Sequence, residues 1–317
     1  MKNKHILFLF ALFPFITAAQ EIAPKRFSLI AEGALGINTN PTLENINTSQ
    51  PQQTGRGKGQ GQNQNALLSQ SDLETQFSTK AHYKAVKTDT FTLHTNYEFW
   101  GEFFAKNSEE SLMTHNISLP MNSYTENYHF ELVPMSIYQT QNNTPYLSNT
   151  GVEGRATSRF ESFDLTLFSS FFQVNALDNN YSYMNGEIIA LGAEITIPLE
   201  HSEFSLSGTS LQSNNKDEIG NIASYTGFSL IPYYSYSSEE WNHSLSFGYE
   251  QKDYKKEINN NVERKDKLIF ARYKPSYFIS KDFALFIDLK YTSNDSNIET
   301  NKYDQFLSLV GFTWIAF

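Results

Sequence analysis

A two-residue rhythm runs through this chain and limits its folds more than any other feature. In "DFALFIDLKYT", Phe283, Leu285, Ile287, Leu289 and Tyr291 fall on one side of an extended backbone, and Ala284, Phe286, Asp288, Lys290 and Thr292 on the other. The same alternation predicts strands at 27–37, 73–85, 91–103, 128–138, 150–160, 163–175 and 189–199, with a weaker one at 114–124. Others follow at 204–211, 222–236, 241–251, 269–277, 283–291 and 307–317, giving an even total of about fourteen. Connections after even strands are short: "VKTD", "TEN", "ES", "EHSE", "SSEE" and "ISKD". Those after odd strands are longer and more polar, at 38–70, 106–112, 140–146, 176–184, 213–220, 252–265 and 293–304. Short turns at one end and long loops at the other predict an all-β fold, a transmembrane antiparallel up-and-down β-barrel with both termini in the periplasm. A soluble β-sandwich gives mixed loop lengths instead.

Composition fits that compartment. Mean hydropathy is −0.45, yet aromatics reach 15%, with 26 Phe and 18 Tyr. A chain polar on average but rich in Phe and Tyr suits a wall that alternates between lipid and a wet lumen, with aromatic girdles at the interfaces. Lys2, Lys4 and His5, the apolar run "ILFLFALFPFI" and the small residues of "TAAQ" form the pattern of a secretory signal peptide at 1–19, leaving 20–317 as the barrel. Cleavage there takes Lys2 and Lys4 with it, so 24 basic residues become 22 against 34 acidic, a net charge of −12 that disfavours nucleic acid. The chain has no cysteine, which excludes disulfides and thiolate chemistry.

Within the first loop, 38–70, the tract "PQQTGRGKGQGQNQN" lacks the apolar residues that would let it pack and reads as a flexible extracellular segment. Its Arg56 and Lys58 are candidates for lipopolysaccharide phosphates. No catalytic set emerges: there is no Gly-x-Ser-x-Gly elbow and no His-Asp or Asp-Asp dipeptide. His82 and His94 fall on the predicted lumen face and read as polar wall residues, and no spacing marks a metal or cofactor site.

Function should therefore be carried by the lumen. By parity its face holds Glu32, Glu74, Lys80, Lys84, Glu98, Glu102, Glu131, Glu153, Arg155, Arg159, Asp164, Glu194, Glu250, Arg272, Lys274, Asp288 and Lys290, ten acids against seven bases. A turn centred near Ser280 sets Arg272 opposite Asp288, and one at Glu161 and Ser162 sets Arg159 against Asp164. Such pairing leaves uncompensated charge mainly on Glu98, Glu102, Glu131 and Glu194. These residues suggest a pore or export conduit for ions, small polar solutes or an exported substrate. The alternative is a non-transporting surface protein whose loops bind a partner or polysaccharide.

The chain closes on "QFLSLVGFTWIAF", where Leu307, Leu309, Gly311, Ile315 and Phe317 share one face that we expect against lipid. Gly311, Ile315 and Phe317 resemble the C-terminal signal read by barrel-assembly machinery, with Gly311 six positions before the end rather than five. Asn127-Tyr128, Pro145-Tyr146-Leu147-Ser148, Ser296-Asn297 and Tyr303-Asp304 look like segments of the barrel domain of surface lipoprotein assembly modifiers (Slam). The resemblance covers about fifty residues and implies a fourteen-stranded barrel. Those proteins also carry an N-terminal tetratricopeptide domain, whereas here the first predicted strand follows the leader almost directly. The barrel type is therefore carried over and lipoprotein translocation is not.

Overall fold

The computed structural model describes residues 27–40, 71–215, 224–255 and 263–316. The expected signal peptide at 1–19, the first loop's Gly/Gln/Asn tract and Phe317 lie outside the described residues. Fourteen antiparallel strands follow one another: β1 (Phe27–Asn38), β2 (Asp72–Lys87), β3 (Phe91–Phe104), β4 in two segments (Leu112–Ser118 and Met121–Tyr124), β5 (Tyr128–Gln141), β6 (Thr144–Arg159) and β7 (Asp164–Ala176). The second half comprises β8 (Gly186–Pro198), β9 (Ser202–Asn215), β10 (Tyr225–Ser237), β11 (Trp241–Tyr254), β12 (Lys265–Ser280), β13 (Phe283–Ser296) and β14 (Tyr303–Ala316). Each strand pairs with its sequence neighbours, and β14 pairs with β1, so the sheet closes without an edge. Closure satisfies every ladder internally, as a backbone immersed in lipid requires.

Side-chain contacts fix which face is concave. Lys274 on β12 lies 3.4 Å from Glu32 on β1, with two strands between them. Such a chord is possible only inside the cylinder. The opposite face carries the exposed apolar residues, among them Leu35, Phe77, Leu167, Leu191, Phe247, Ile287 and Val310. No described helix is long and apolar enough to cross a membrane. An apolar band around a closed barrel makes this an outer-membrane fold, crossing lipid by its strands.

One end is built from a repeated local sequence. In Thr88-Asp89-Thr90-Phe91 the Thr88 amide donates to the Phe91 carbonyl at 2.8 Å, and the Phe91 amide donates to Thr88 Oγ1 at 3.0 Å. The same two bonds close Thr125-Glu126-Asn127-Tyr128 and Ser238-Glu239-Glu240-Trp241. Each turn thus places an exposed aromatic at the start of the next strand, and Phe91, Tyr128 and Trp241 form part of an interfacial girdle.

Four sequence expectations need correction. The segment 140–146 is not a long loop: β5 and β6 meet in a two-residue turn at Asn142 and Asn143, whose φ of 48° and 60° suit the twist of a tight hairpin. The expected strand 114–124 is split around Leu119 and Pro120, because proline cannot donate to a ladder. The β12–β13 register is two residues from that expected: Arg272 faces Lys290, not Asp288, since the turn centres on Lys281 and Asp282 with a bulge between Phe278 and Ser280. Finally, the odd-numbered face of β14 points inward. Leu309 is 1% exposed while Val310 is 61% exposed, and Thr313 pairs with Glu32 in the ladder. Gly311 and Ile315 therefore line the interior, and Phe306, Val310, Phe312 and Trp314 meet lipid.

Candidate functional site: a two-part lumen

The interior divides along the barrel axis. Towards the long-loop end it is packed. On the β4–β8 side, Tyr146, Leu147, Phe172, Val174, Met184 and Ile188 form a buried cluster. The 3-10 turn Asn179–Met184, between β7 and β8, supplies Tyr181, whose ring meets Tyr146 edge-on at 4.6 Å. Tyr146 donates its hydroxyl to Met184 Sδ at 3.4 Å. Burial beside Tyr181 raises the Tyr183 hydroxyl above the ordinary phenol range.

The other side of this mouth is polar. Asn38 donates to Glu74 Oε2 at 2.7 Å and Gln76 donates to its Oε1 at 2.5 Å, so a fully buried carboxylate keeps partners on both oxygens. Arg264 grips Asp266 through Nε at 3.0 and 2.9 Å and through Nη2, and its guanidinium lies 4.1 Å from the Tyr254 ring centre. Lys252 pairs with Glu250 at 2.7 Å and lies over Tyr225. Sequence reasoning missed Asp266, Lys252 and Arg264 because the predicted strands stopped short of them.

Halfway down, Arg272 donates from Nε to Asp288 Oδ1 at 2.8 Å, a diagonal contact despite the shifted register. Lys290, its ladder neighbour, lies over the Phe270 ring. Glu102 faces Gln76 and Leu112 near the mouth. Lys80 and Glu98 are ladder partners with Nζ and Oε1 2.5 Å apart.

Glycines keep this middle zone clear. The Phe270 ring lies so flat on Gly248 that a Cβ there would be 1.9 Å from it. Phe286 lies similarly on Gly311, with Lys274 Nζ 4.1 Å from its ring centre. The pairs Phe172–Gly151 and Phe168–Gly192 repeat the arrangement on β6–β8. Gly311 thus has a packing role beside the expected role in assembly.

Towards the short-turn end the charged side chains are half-buried or exposed rather than enclosed. Arg155 contacts Glu153 and lies 4.0 Å from Glu131. Arg159 faces Asp164 in the ladder, yet no ion pair forms between them. Asp164, Glu194 and Glu203 have no cationic partner among the described residues; Glu194 accepts only from Thr196 Oγ1, at 3.4 Å. Glu203 was missed because its strand begins two residues earlier than the alternation suggested. Of the residues expected to carry uncompensated charge, Glu98 is paired and Glu131 lies near Arg155, so the free acids belong to β7–β9.

No protein-family model and no curated protein sequence matches this chain. Among solved structures it is similar to OmpT, an outer membrane protein of Vibrio cholerae, at 5% identity and TM-score 0.48, covering 94% of this chain and 100% of that one. It is also similar to OccAB4 of Acinetobacter baumannii at 9% identity and TM-score 0.43, covering 92% and 98%. A third is the outer membrane protein opdK of Pseudomonas aeruginosa, at 7% identity and TM-score 0.43, covering 92% and 98%.

Proposed function

We propose that this barrel is an outer-membrane conduit for small cations or cationic polar solutes, controlled at its loop-end mouth. The observation that carries this reading is the charged lumen: most of its cations are shared between carboxylates and aromatic rings, Arg159 and Lys84 excepted, while Asp164, Glu194 and Glu203 form no ion pair at the turn end, three acids against two bases. An excess of free carboxylates in a wet passage favours cations. Short turns and termini face the periplasm in this reading, and Gly311, Ile315 and Phe317 act in delivery by barrel-assembly machinery. Lipoprotein translocation, the activity associated with Slam, forms no part of it.

The packed mouth favours a second reading, a non-transporting surface protein whose loops bind a partner. Planar-bilayer recording separates the two. A conduit gives unit conductance steps, cation-selective at low salt, with selectivity fading as the Debye length falls from about 30 Å at 0.01 M to about 3 Å at 1 M. Replacing Glu194 and Glu203 with Gln should weaken that selectivity. Leu147→Ala, which removes a fully buried side chain from the mouth cluster, should enlarge or stabilise the open step. Absence of steps in both the native barrel and Leu147→Ala would leave only the second reading.

A further inference from the structure

His82 and His94 project into the lumen from β2 and β3, below the Lys80–Glu98 pair in the ladder. His82 Nδ1 lies 2.6 Å from Asn96 Oδ1, and His94 Nε2 lies 2.9 Å from Thr92 Oγ1. The two remaining nitrogens, His82 Nε2 and His94 Nδ1, face each other at 2.9 Å. Asn96 Oδ1 can only accept, so His82 carries its hydrogen on Nδ1 and presents the Nε2 lone pair inward. Thr92 can donate or accept. When it donates, His94 holds its hydrogen on Nδ1 and bonds to His82. When it accepts from Nε2–H, both inner nitrogens are bare and their lone pairs face one another across 2.9 Å.

Two bare imidazole nitrogens held by outer hydrogen bonds are the arrangement in which histidines ligate metals, with the outer partner fixing tautomer and ring orientation. With metal–nitrogen bonds of about 2.0–2.1 Å, nitrogens 2.9 Å apart subtend about 90° at the ion. That is the adjacent-ligand angle of square-planar and tetragonal ions; tetrahedral zinc would need the nitrogens to separate by about 0.4 Å.

We propose that His82 and His94 form a two-nitrogen binding point for a divalent transition-metal ion, preferring Cu(II) or Ni(II), with water in the remaining positions. No third His, Asp or Glu completes a cluster among the described residues. The site is therefore exchangeable, suited to transient occupancy in a passage. Lys84 is the ladder partner of His94, and its charge opposes a cation there. Lys80 is occupied by Glu98. On β4 and β5, His129 is held by Asn122, the ladder partner of Thr92. His115 and His243 bond tyrosines on the lipid face and cannot join.

The inference requires water to enter from the turn end, not conduction through the mouth, so its test is independent of conductance. Untagged barrel in detergent micelles is titrated with CuCl2 and followed by calorimetry and electron paramagnetic resonance. One ion should bind per barrel, with a spectrum showing two equatorial imidazole nitrogens, and CaCl2 should not compete because imidazole suits borderline ions rather than hard ones. His82→Gln or His94→Gln should abolish the two-nitrogen spectrum. Asn96→Ala should weaken binding by about tenfold, the order expected for an orienting partner, and Lys84→Met should tighten it. Heat-dependent gel migration confirms that each variant is folded. An unchanged spectrum in the folded His82→Gln/His94→Gln double variant, or equal displacement by calcium, overturns the proposal. Metal binding without conductance sinks the conduit and leaves the site standing.

Discussion

The two ends of the lumen handle charge in opposite ways. At the loop end, Arg264 and Asp266 are almost wholly buried, so the guanidinium is clamped to both carboxylate oxygens and roofed by Tyr254. Halfway down, Lys80 and Glu98 keep about a third of their side chains exposed, and at the turn end Asp164, Glu194 and Glu203 need no cation at all. What differs is hydration rather than the number of charges. A buried ion recovers its solvation only through close partners, whereas one in a wet vestibule retains water whether paired or not. The packed end is accordingly where stability resides, and the open end is where charge remains available to a solute.

The largest test of this contrast is Arg264→Met, which strands the buried Asp266 and should cost about 3–5 kcal/mol in denaturant unfolding from micelles. A loss under about 1 kcal/mol would show that water reaches the mouth and that the contrast is false. Gly248→Ala sets a methyl group against the Phe270 ring and should cost about 1–3 kcal/mol. Most of that loss should vanish on a Phe270→Ala background, because the clash needs both partners. Additive losses would mean that the ring does not lie on the glycine. The smallest effect belongs to the part-exposed pair halfway down: Lys80→Met should change stability by only about 0–1 kcal/mol despite its short contact with Glu98.

The sequence showed the wall well and the mouth poorly. Alternation finds strands reliably where one face meets lipid and the other meets water, because burial then changes with a period of two. Phe283 to Tyr291 satisfies that condition throughout. At the loop end it fails: Tyr146 and Leu147 are adjacent yet both buried, so the pattern there breaks although β6 continues to Thr144. In β14, Leu307, Leu309 and Ile315 line the interior as apolar residues, giving both faces a hydrophobic reading; the polar Thr313 beside Glu32 was the informative residue. The tight turn at Asn142-Asn143 had a readable signal in its two left-handed-tolerant residues, obscured by the polar sequence around it. The sequence places His82 and His94 on the lumen faces of adjacent strands as wall residues; their direct contact depends on the β2–β3 register, which alternation alone does not fix.

The seam between β1 and β14 also sets an order of events during folding. Thirteen of the fourteen strand pairings join consecutive strands, as when Arg272 meets Lys290. The remaining one joins Gly33 to Phe312 across nearly the whole chain. Going from the first separation to the second is roughly four doublings of loop length, about 2.4 kcal/mol of additional closure entropy when starting from an unstructured chain. Hairpins whose turns are already fastened by Thr88, Thr125 and Ser238 shorten that search, since a prefolded sheet brings its two margins together by curling. Zippering along the chain therefore comes early and sealing of the cylinder last. A nascent sheet with unsealed margins exposes two strand edges until that final step.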